Sequence, residues 1–254
     1  MPTHAQLEAT RYHLGGSSIG WALGWAERAP SELWEIRTGR REVEVTDEMW
    51  FGSYIEPATR ALAERYLRRE LLMDDLALES YAETVHHLLH PHWWAVHPDA
   101  MDKKRRVLVQ LKNHDPRVFN RSYKRPTDGD DNDKVPIAYQ MQVLWERGAL
   151  QTHVLDARYE KWTCYLGAYF GGVNLKLYRI GPNARLLDAM CITGFAWWRA
   201  HLDPNGPQSP PDDRFWAQNR DRMQAMKDSE PKRPPRATKA MIAEQPVASL
   251  EGLA

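Results

Sequence analysis

Residues 93–113 read WWAVHPDAMDKKRRVLVQLKN, and this stretch carries the pattern that decides the fold. Asp99 follows Pro98 at the end of one apolar run, and after a basic turn a second apolar run ends with Gln110 and Lys112. Residues two apart on a strand face the same side of a sheet. Gln110 and Lys112 are therefore expected to point together, and a hairpin would bring Asp99 beside them.

A carboxylate, an amide and an ammonium group in such a cluster suit the metal-assisted hydrolysis of a phosphodiester. Mg²⁺ prefers oxygen ligands, which Asp99 and Gln110 offer. A bound metal polarises the phosphate and lowers the pKa of the attacking water, while Lys112 would steady that water. We therefore expect a hydrolytic site that uses Mg²⁺, for which Mn²⁺ can substitute.

The segments on either side predict an α/β fold with a mixed central sheet flanked by helices. Apolar residues at a helical period, together with capping residues, indicate helices, and short apolar runs between turn residues indicate strands. The helices are expected over residues 17–25 (with Ser17 as N-cap), 30–38, 49–72, 135–146 and 183–201. The strands are expected over residues 80–89, 93–97, 106–112, 150–157, 163–170 and 173–180.

The composition changes near residue 204. Residues 204–254 contain eight of the 17 prolines of the chain, and proline removes a backbone donor and resists helix and sheet interiors. We therefore expect one domain over residues 1–203 and a proline-rich, largely flexible tail over residues 204–254. A short helix over residues 212–227, with apolar residues that could dock, is compatible with the tail sequence.

The overall composition excludes several classes of protein. Lysine plus arginine and aspartate plus glutamate both number 34, so there is no histone-like excess of positive charge, although a local basic groove is compatible. The sequence has no apolar run of about 18 residues and no apolar N-terminal segment, so neither a membrane span nor a secretory signal is expected. Two cysteines are too few for a disulfide scaffold or a four-cysteine zinc site. We expect a cytoplasmic protein.

Four further motifs accompany residues 98–112 in order along the chain. They are Arg11 followed by LGGSSIGWALG, APSELW at 29–34 followed by Thr38-Gly39, MWFGSYIEP at 49–57, and YQMQ at 139–142. Together, the five motifs resemble the PD-(D/E)xK nuclease superfamily, and in particular the family of phage lambda exonuclease and the YqaJ-type viral recombinase nucleases. An isolated Asp…Lys pair would be a weak signal, whereas five motifs in order are specific.

This resemblance implies a PD-(D/E)xK nuclease core in residues 1–203 and a DNA exonuclease that requires Mg²⁺. Such an enzyme digests one strand of linear duplex DNA from an end, with 5′-to-3′ polarity, in phage-type homologous recombination. The resemblance also implies double-stranded DNA ends as substrate, a ring-like homotrimer around the DNA and a single-strand-annealing recombinase as partner. The cytoplasm of a bacterium or of a phage-infected host is the implied location.

The resemblance further implies which residues form the catalytic and metal site. Asp99 corresponds to a metal-bridging carboxylate, and Glu56 to an outer metal ligand or to the holder of a metal-bound water. The Leu111 carbonyl corresponds to a backbone metal ligand, and Gln110 occupies the position of a further metal ligand. Lys112 would position and activate the nucleophilic water.

A second set of residues is implied in DNA binding. Arg11 and Ser17 correspond to residues that hold the terminal phosphate of a DNA end, with Ser18 as the alternative to Ser17 because the spacing differs by one. Gln140 would reach the same pocket, with Gln142 nearby. Basic residues beside the catalytic strand favour phosphate contacts. They are Lys103, Lys104, Arg105 and Arg106 on the turn, and Arg117, Arg121, Lys124 and Arg125 on the next loop.

One residue departs from the family pattern. The motif has Glu where this chain has Gln110, which keeps an oxygen ligand but brings no charge and cannot accept a proton. Affinity for a divalent cation is expected to fall unless Asp102 or Asp115 compensates. Two other functions stay open: a nuclease-fold module that binds or caps DNA ends without activity, which Gln110 favours, and a structural or host-interaction protein, which the basic loops disfavour.

Five closely spaced histidines also invite a zinc interpretation. Their spacing is irregular, and metal-binding histidine pairs usually come with cysteine or acidic partners. We expect histidines that are solvated or at the edge of the core. They are His86, His87, His90, His92 and His97.

Overall fold

The architecture is that of a computed structural model, which describes residues 11–25, 28–43, 45–72, 74–80, 84–115, 117, 119, 122–127, 129–151, 162–171 and 174–214. The helices are α1 (Gly16–Ala22), α2 (Pro30–Arg37), α3 (Asp47–Leu71), α4 (Ile137–Gln151) and α5 (Ala184–His201). The strands are β1 (Val85–His86), β2 (Ala95–Val96), β3 (Ala100–Asp102), β4 (Val107–Asn113), β5 (Thr163–Tyr169) and β6 (Leu175–Ile180). Within the described residues, no helix is both long and apolar enough to cross a membrane.

A four-stranded mixed sheet in the order β3-β4-β5-β6 forms the centre of the domain. β3 and β4 are an antiparallel hairpin, β4 and β5 run parallel, and β5 and β6 are antiparallel. A parallel pair requires a crossover connection, and the segment that contains α4 supplies it. β1 and β2 pair in a separate small sheet. The predicted α/β fold, with a mixed central sheet flanked by helices, is confirmed.

Successive side chains of β4 point to opposite faces of the sheet and pack in two different hydrophobic cores. Leu108 packs in the larger core, which contains residues of α1, α4 and α5, whereas Val109 and Leu111 pack in the smaller core against α3. Residues two apart on a strand share a face. Gln110 and Lys112 therefore project to the same side as Leu108, which is the side that α4 covers.

α4 is the central helix and is buried on all sides from residue 140 to residue 150. Trp145 on this helix stacks on Trp94, with 3.9 Å between ring centroids. A fully buried helix is ordinarily apolar all round. Four buried residues of α4 are nevertheless polar or charged: Gln140, Gln142, Glu146 and Arg147. Buried polar groups require partners, so these four residues are candidates for a functional role.

Most of the predicted helices and long strands are present with slightly shifted ends. The strand predicted over residues 106–112 is β4, and the helix predicted over residues 49–72 is α3. The latter begins earlier because Thr46 is its N-cap and accepts a hydrogen bond from the Met49 N–H at 3.3 Å. The helix continues through Pro57.

Several local predictions are wrong. Ser17 is not the N-cap of α1, because Gly15 has that position and its N–H donates to the Ser18 hydroxyl at 2.7 Å. The strand predicted over residues 150–157 is contradicted at its start by α4, which continues to Gln151, while residues 152–161 lie outside the described residues. Of the strand predicted over residues 80–89, residues 81–83 lie outside the described residues, and among the others only the two residues of β1 form a strand. The strand predicted over residues 93–97 is reduced to the two residues of β2. β3 was not predicted, because three residues inside a polar turn leave no apolar run to mark a strand.

Residues 204–214 follow the surface of the domain. The Ser209 N–H donates to the Ala200 carbonyl of α5 at 3.1 Å. Asp213 accepts the N–H and the hydroxyl of Ser31, at 2.8 and 2.7 Å, in the first turn of α2, where an acidic group satisfies a free donor and favours the helix dipole. The division into a domain over 1–203 and a tail over 204–254 stays a prediction, and residues 215–254, most of the predicted tail helix included, lie outside the described residues.

Candidate active site

The site is built where β3 begins and β4 continues past it. Ala100 is the first residue of β3 and pairs with Val109. The next backbone N–H of β4 on this edge is that of Leu111, and it has a side chain opposite it instead of a strand residue. The Asp99 Oδ2 atom accepts the N–H of Leu111 at 2.8 Å and the side-chain amide of Gln110. The short strand thereby fixes the Asp99 carboxylate against β4.

Gln110 is buried, with 2% exposure. Its Nε2 atom donates to Asp99, and its Oε1 atom has no hydrogen-bond partner within the described residues. A buried acceptor without a partner costs about 1–3 kcal/mol, and an amide oxygen is an accepted ligand for hard divalent cations. The side-chain amide therefore holds Asp99 through Nε2, and its Oε1 atom could coordinate a cation.

Lys112 is the positive charge of the site. Its Nζ atom lies 5.7 Å from the centroid of the Tyr139 ring of α4, within the range of a cation–π contact. Burial raises the pKa of Asp99, and the charge of Lys112 is the strongest influence that opposes this rise. The charge of Lys112 therefore acts on the Asp99 carboxyl, and the catalytic roles of both residues stay predictions.

Glu56 comes to the site from α3, on the other side of the sheet. The Asn113 side chain at the end of β4 donates to the Gly52 carbonyl of α3 at 3.3 Å and holds this part of the helix near the strand end. Glu56 is half-buried. Burial and, to a smaller degree, the negative charge of Asp99 raise the pKa of Glu56. The two carboxyl groups therefore interact electrostatically.

Glu146 is a further buried carboxylate, which the sequence motifs did not predict. It is 1% exposed, and its Oε1 atom accepts a hydrogen bond from Gln142 Nε2 at 3.1 Å. Burial, with a smaller effect from Asp99, raises its pKa to about 8. A glutamate inside a helix is ordinarily exposed, so no motif marked this one. The available signal was its position four residues after Gln142 on a largely apolar helix.

The residues predicted to bind a terminal phosphate lie around α1 and the end of α2. Arg11 donates from Nε and Nη2 to the carbonyl oxygens of Arg37 and Thr38, at 3.1 and 3.0 Å. The Ser18 hydroxyl is bonded to the backbone at the start of α1, whereas Ser17 is exposed. Ser17 is therefore the serine of the pair whose hydroxyl faces solvent. Phosphate binding by Arg11 and Ser17 stays a prediction.

Gln140 and Gln142 both lie in the buried part of α4. Gln142 is committed to Glu146, as described above. Gln140 is fully buried, and neither atom of its side-chain amide has a hydrogen-bond partner within the described residues. Such unpaired buried amides are uncommon in native proteins, and they are compatible with the predicted contact to a ligand.

The basic turn lies away from the site. Lys103, Lys104 and Arg105 connect β3 to β4 at the opposite end of the hairpin from Asp99, about 13 Å from Leu111 at about 3.3 Å per residue. Lys104 pairs with Asp75 at 3.4 Å, and Arg105 also pairs with Asp75. These residues are therefore not beside the predicted catalytic residues, and their contact with DNA stays a prediction.

The two acids proposed to compensate for Gln110 are engaged elsewhere. Asp102 accepts the N–H of Arg105 at 2.8 Å and that of Ala77 at 3.0 Å, which shapes the turn. Asp115 forms an ion pair with Arg117 at 2.6 Å. Neither arrangement supports a role for these acids as replacements for a metal ligand.

The donor atoms around Asp99 fit a hard divalent cation in their chemistry. The carboxylates of Asp99, Glu56 and Glu146 and the oxygen of Gln110 are all ligands of the type that Mg²⁺ and Mn²⁺ prefer. The observation that supports the fit is a pair of buried oxygens without hydrogen-bond partners, Gln110 Oε1 and Glu146 Oε2. Within the part of the chain that the structure describes, no three His, Cys, Asp or Glu side chains converge as a ready metal cage. A cation held here would therefore need the amide oxygen in addition to carboxylates.

Exposed aromatic rings occupy the first half of α3, next to the segment that Asn113 holds. Trp50 is 56% and Tyr54 is 71% exposed, and their rings stack at 5.6 Å with an interplanar angle of 11°. Phe51 is 52% exposed. Large exposed apolar groups mark contact surfaces, and flat rings offer stacking platforms for nucleobases.

The histidines between residues 86 and 97 have structural partners. The His87 ring stacks on Trp94 with 4.2 Å between centroids. His97 Nε2 lies 3.1 Å from the Thr84 hydroxyl. These contacts agree with histidines at the edge of the core.

Comparison with known proteins identifies the fold. No protein-family model matches the sequence, and no curated protein is significantly similar to it. The crystal structure of LHK-Exo in complex with dAMP is 14% identical and has a TM-score of 0.51, over 89% of this chain and 97% of LHK-Exo. A phage related exonuclease from Haemophilus somnus 129PT is 10% identical, with a TM-score of 0.46, over 83% of this chain and 96% of its own. The similarity to LHK-Exo shows that this chain shares the fold of that protein.

Proposed function

We propose that this chain is a metal-dependent DNA exonuclease that digests one strand of linear duplex DNA from an end. The observation that carries the proposal is the meeting of Asp99, Gln110 and Lys112 at the point where β3 begins and β4 continues. With Glu56 beside them, these groups can hold a divalent cation and orient a water molecule against a phosphodiester. The nuclease fold makes this use of the cluster the natural one.

The site residues divide into metal ligands and a positioning group. Asp99, Glu56 and the Gln110 oxygen would hold Mg²⁺, with Mn²⁺ as a substitute. The Leu111 carbonyl joins them, because the N–H and C=O of one strand residue point to the same edge and the Leu111 N–H points to Asp99. A bound cation supplies charge that polarises the scissile phosphate and lowers the pKa of the attacking water. Lys112 would orient that water and stabilise negative charge on the phosphate oxygens.

Further groups on α1, α3 and α4 and just before α1 suit the end of a DNA strand. Arg11 offers a guanidinium and Ser17 an exposed hydroxyl for a terminal phosphate, with Gln140 on the helix behind them. The stacked rings of Trp50 and Tyr54 suit contact with bases. The complex of LHK-Exo with dAMP supports the proposal, because a nucleoside monophosphate is the kind of product that an exonuclease releases.

The finer features of the proposal rest on the resemblance of the motifs. They are 5′-to-3′ polarity, a homotrimer that encircles DNA, and work beside a single-strand-annealing recombinase in phage-type recombination. The corresponding place of action is the cytoplasm of a bacterium or of a phage-infected host.

The test is digestion of an end-labelled linear duplex with Mg²⁺ or Mn²⁺, with a covalently closed circular duplex as the control. We expect release of mononucleotides from the linear DNA only. Lys112→Ala should abolish digestion while leaving metal binding largely in place, and Asp99→Ala should abolish both. Cutting of the circle, or digestion that survives Asp99→Ala, would contradict the proposal.

A second candidate is a DNA-end-binding module without activity. The observation that favours it is the hydrogen bond between Gln110 and Asp99, which satisfies the carboxylate without any cation. On this hypothesis the parent chain binds linear DNA, digests none at any Mg²⁺ or Mn²⁺ concentration, and gains nothing from Gln110→Glu.

A further inference from the structure

The carboxyl group of Glu146 can accept more hydrogen bonds, or bind more ligands, than the described residues provide. It lies in the most buried stretch of α4 at 1% exposure, and its Oε2 atom has no hydrogen-bond partner within the described residues. Leaving a carboxyl oxygen unpaired in a protein interior is costly. Buried carboxylates are retained where they are paired or where they coordinate a metal.

Glu146 lies on the helix that shares a core with the face of β4 from which Gln110 and Lys112 project. Both Asp99 and Lys112 act electrostatically on the carboxyl group of Glu146. Glu146 in turn acts on Cys164 of β5, a member of the large core that packs α4 against the sheet. Gln110 projects from the face of β4 whose core contains residues of α4, the helix that carries Glu146.

The backbone of α1 is shaped to admit this carboxyl group. A Cβ atom added at Gly16 would overlap Glu146 Oε1 and would lie 3.0 Å from its Cγ and Cδ atoms. The absence of a side chain at residue 16 therefore lets the Glu146 carboxyl lie against the first turn of α1. Gln142 holds its Oε1 atom at 3.1 Å, which leaves Oε2 as the open oxygen.

The charge of the cluster points in the same direction. The motif has a carboxylate at residue 110, and this chain has an amide there. Asp102 and Asp115 are committed to other partners. A carboxyl group from α4 restores the count of acidic donors without a change in β4.

We propose that Glu146 is a metal-ligating carboxylate and supplies from α4 the charge that β4 lacks at Gln110. The inference rests on the proposed function for the identity of the ligand as a divalent cation. It assigns to the buried helix a chemical role besides packing.

The experiment measures metal binding directly on the full-length protein. Mn²⁺ is titrated by calorimetry and by the loss of the paramagnetic resonance signal of free Mn²⁺. The variants are Glu146→Gln, which keeps shape and removes charge, and Glu64→Gln as a control. Glu64 is an acid of α3 that accepts the N–H of Leu78 at 2.7 Å. The double variant Gln110→Glu with Glu146→Gln tests replacement.

We expect Glu146→Gln to weaken Mn²⁺ binding by about 10-fold or more, judging from the 10–100-fold effects of outer-shell changes. Glu64→Gln should bind Mn²⁺ as the parent does. Adding Gln110→Glu to Glu146→Gln should restore most of the lost affinity, because it returns one carboxylate to the cluster. Circular dichroism verifies that each variant is folded.

The outcomes separate this inference from the proposed function. Mn²⁺ affinity in Glu146→Gln within a factor of two of the parent, no Mn²⁺ binding by the parent, or no rescue by Gln110→Glu would each overturn the inference. A parent that binds Mn²⁺ through Glu146 but digests no DNA would contradict the exonuclease and leave the inference standing. Digestion by the parent together with unchanged Mn²⁺ binding in Glu146→Gln would do the reverse.

Discussion

Gln110 donates its side-chain amide to the same oxygen of Asp99, Oδ2, that accepts the N–H of Leu111. An amide beside a buried carboxylate makes a hydrogen bond, whereas a second carboxylate in its place would repel the first. On the proposed function, residue 110 would therefore set a balance between the stability of the metal-free protein and its affinity for a cation.

Gln110→Glu should shift this balance toward the cation. We expect the variant to have a lower free energy of unfolding without metal, because two buried like charges would meet. With metal, it should need less Mg²⁺ and digest linear DNA faster, by about 10–100-fold on the scale of ligand-shell changes. Denaturant unfolding in EDTA and digestion across a Mg²⁺ series measure the two effects. An increase in metal-free stability would contradict the interpretation of the Gln110–Asp99 contact.

Glu146→Gln should stabilise the metal-free protein in a pH-dependent way. Burial raises the pKa of Glu146 from 4.5 to about 8, so the folded state binds a proton that the unfolded state releases. The stability that this proton provides is fully present below about pH 4.5 and is lost as pH rises through about 8, at most by about 1.4 kcal/mol per pH unit. Glutamine does not titrate. The gain in unfolding free energy of Glu146→Gln over the parent, measured in EDTA, should therefore be larger at pH 8 than at pH 5. An equal gain at both pH values would refute the raised pKa.

Gly16→Ala should displace the Glu146 carboxyl and weaken Mn²⁺ binding. The new Cβ would overlap the carboxyl, and the end of a side chain yields more easily than backbone, so the fold should tolerate the change. Gly20→Ala is the matched control in the same helix, because its Cβ would meet Ala138 at an ordinary 3.7 Å. Calorimetry should show a loss of affinity for the first variant alone. Equal affinities would indicate that the Glu146 carboxyl is not held at the cation by this contact.

Removal of residues 204–254 should destabilise the domain more than removal of residues 215–254 alone. Asp213 satisfies the backbone and the hydroxyl of Ser31 at the start of α2, and a capping interaction of this kind contributes about 1 kcal/mol. We expect truncation after Asp203 to lower the melting midpoint clearly below that of truncation after Arg214. Asp213→Ala should reproduce part of the difference. Identical midpoints for the two truncations would show that the contact with Ser31 adds nothing.

Arg11→Ala should affect stability and end recognition, whereas Ser17→Ala should affect end recognition alone. Arg11 donates to two carbonyl oxygens at the end of α2, and each lost hydrogen bond costs about 1 kcal/mol. Ser17 is exposed, so its loss should leave the unfolding free energy nearly unchanged. Both variants should reduce the preference for DNA ends with a 5′-phosphate over ends with a 5′-hydroxyl. A parental preference that survives both changes would move the phosphate site elsewhere.

The sequence by itself determined the fold class and the inner part of the candidate site. Alternation in residues 106–112 placed Gln110 and Lys112 on one face of a strand, and the Pro-Asp step before the turn placed Asp99 beside them. These are relationships within a hairpin, where spacing along the chain fixes spacing in the molecule. The structure reproduces them in β3, β4 and the hydrogen bonds of Asp99.

Tertiary structure alone decided the rest. It buried Glu146 on a helix that packs against the sheet, and it put the basic turn at the far end of the hairpin. It also tied Asp213 to Ser31, 182 residues earlier. No local pattern encodes these contacts, because each depends on how separate elements pack and on which polar groups that packing removes from water. The sequence does not reveal that a glutamate in a helix is buried, because its burial depends on how the sheet, α1 and α4 pack around it.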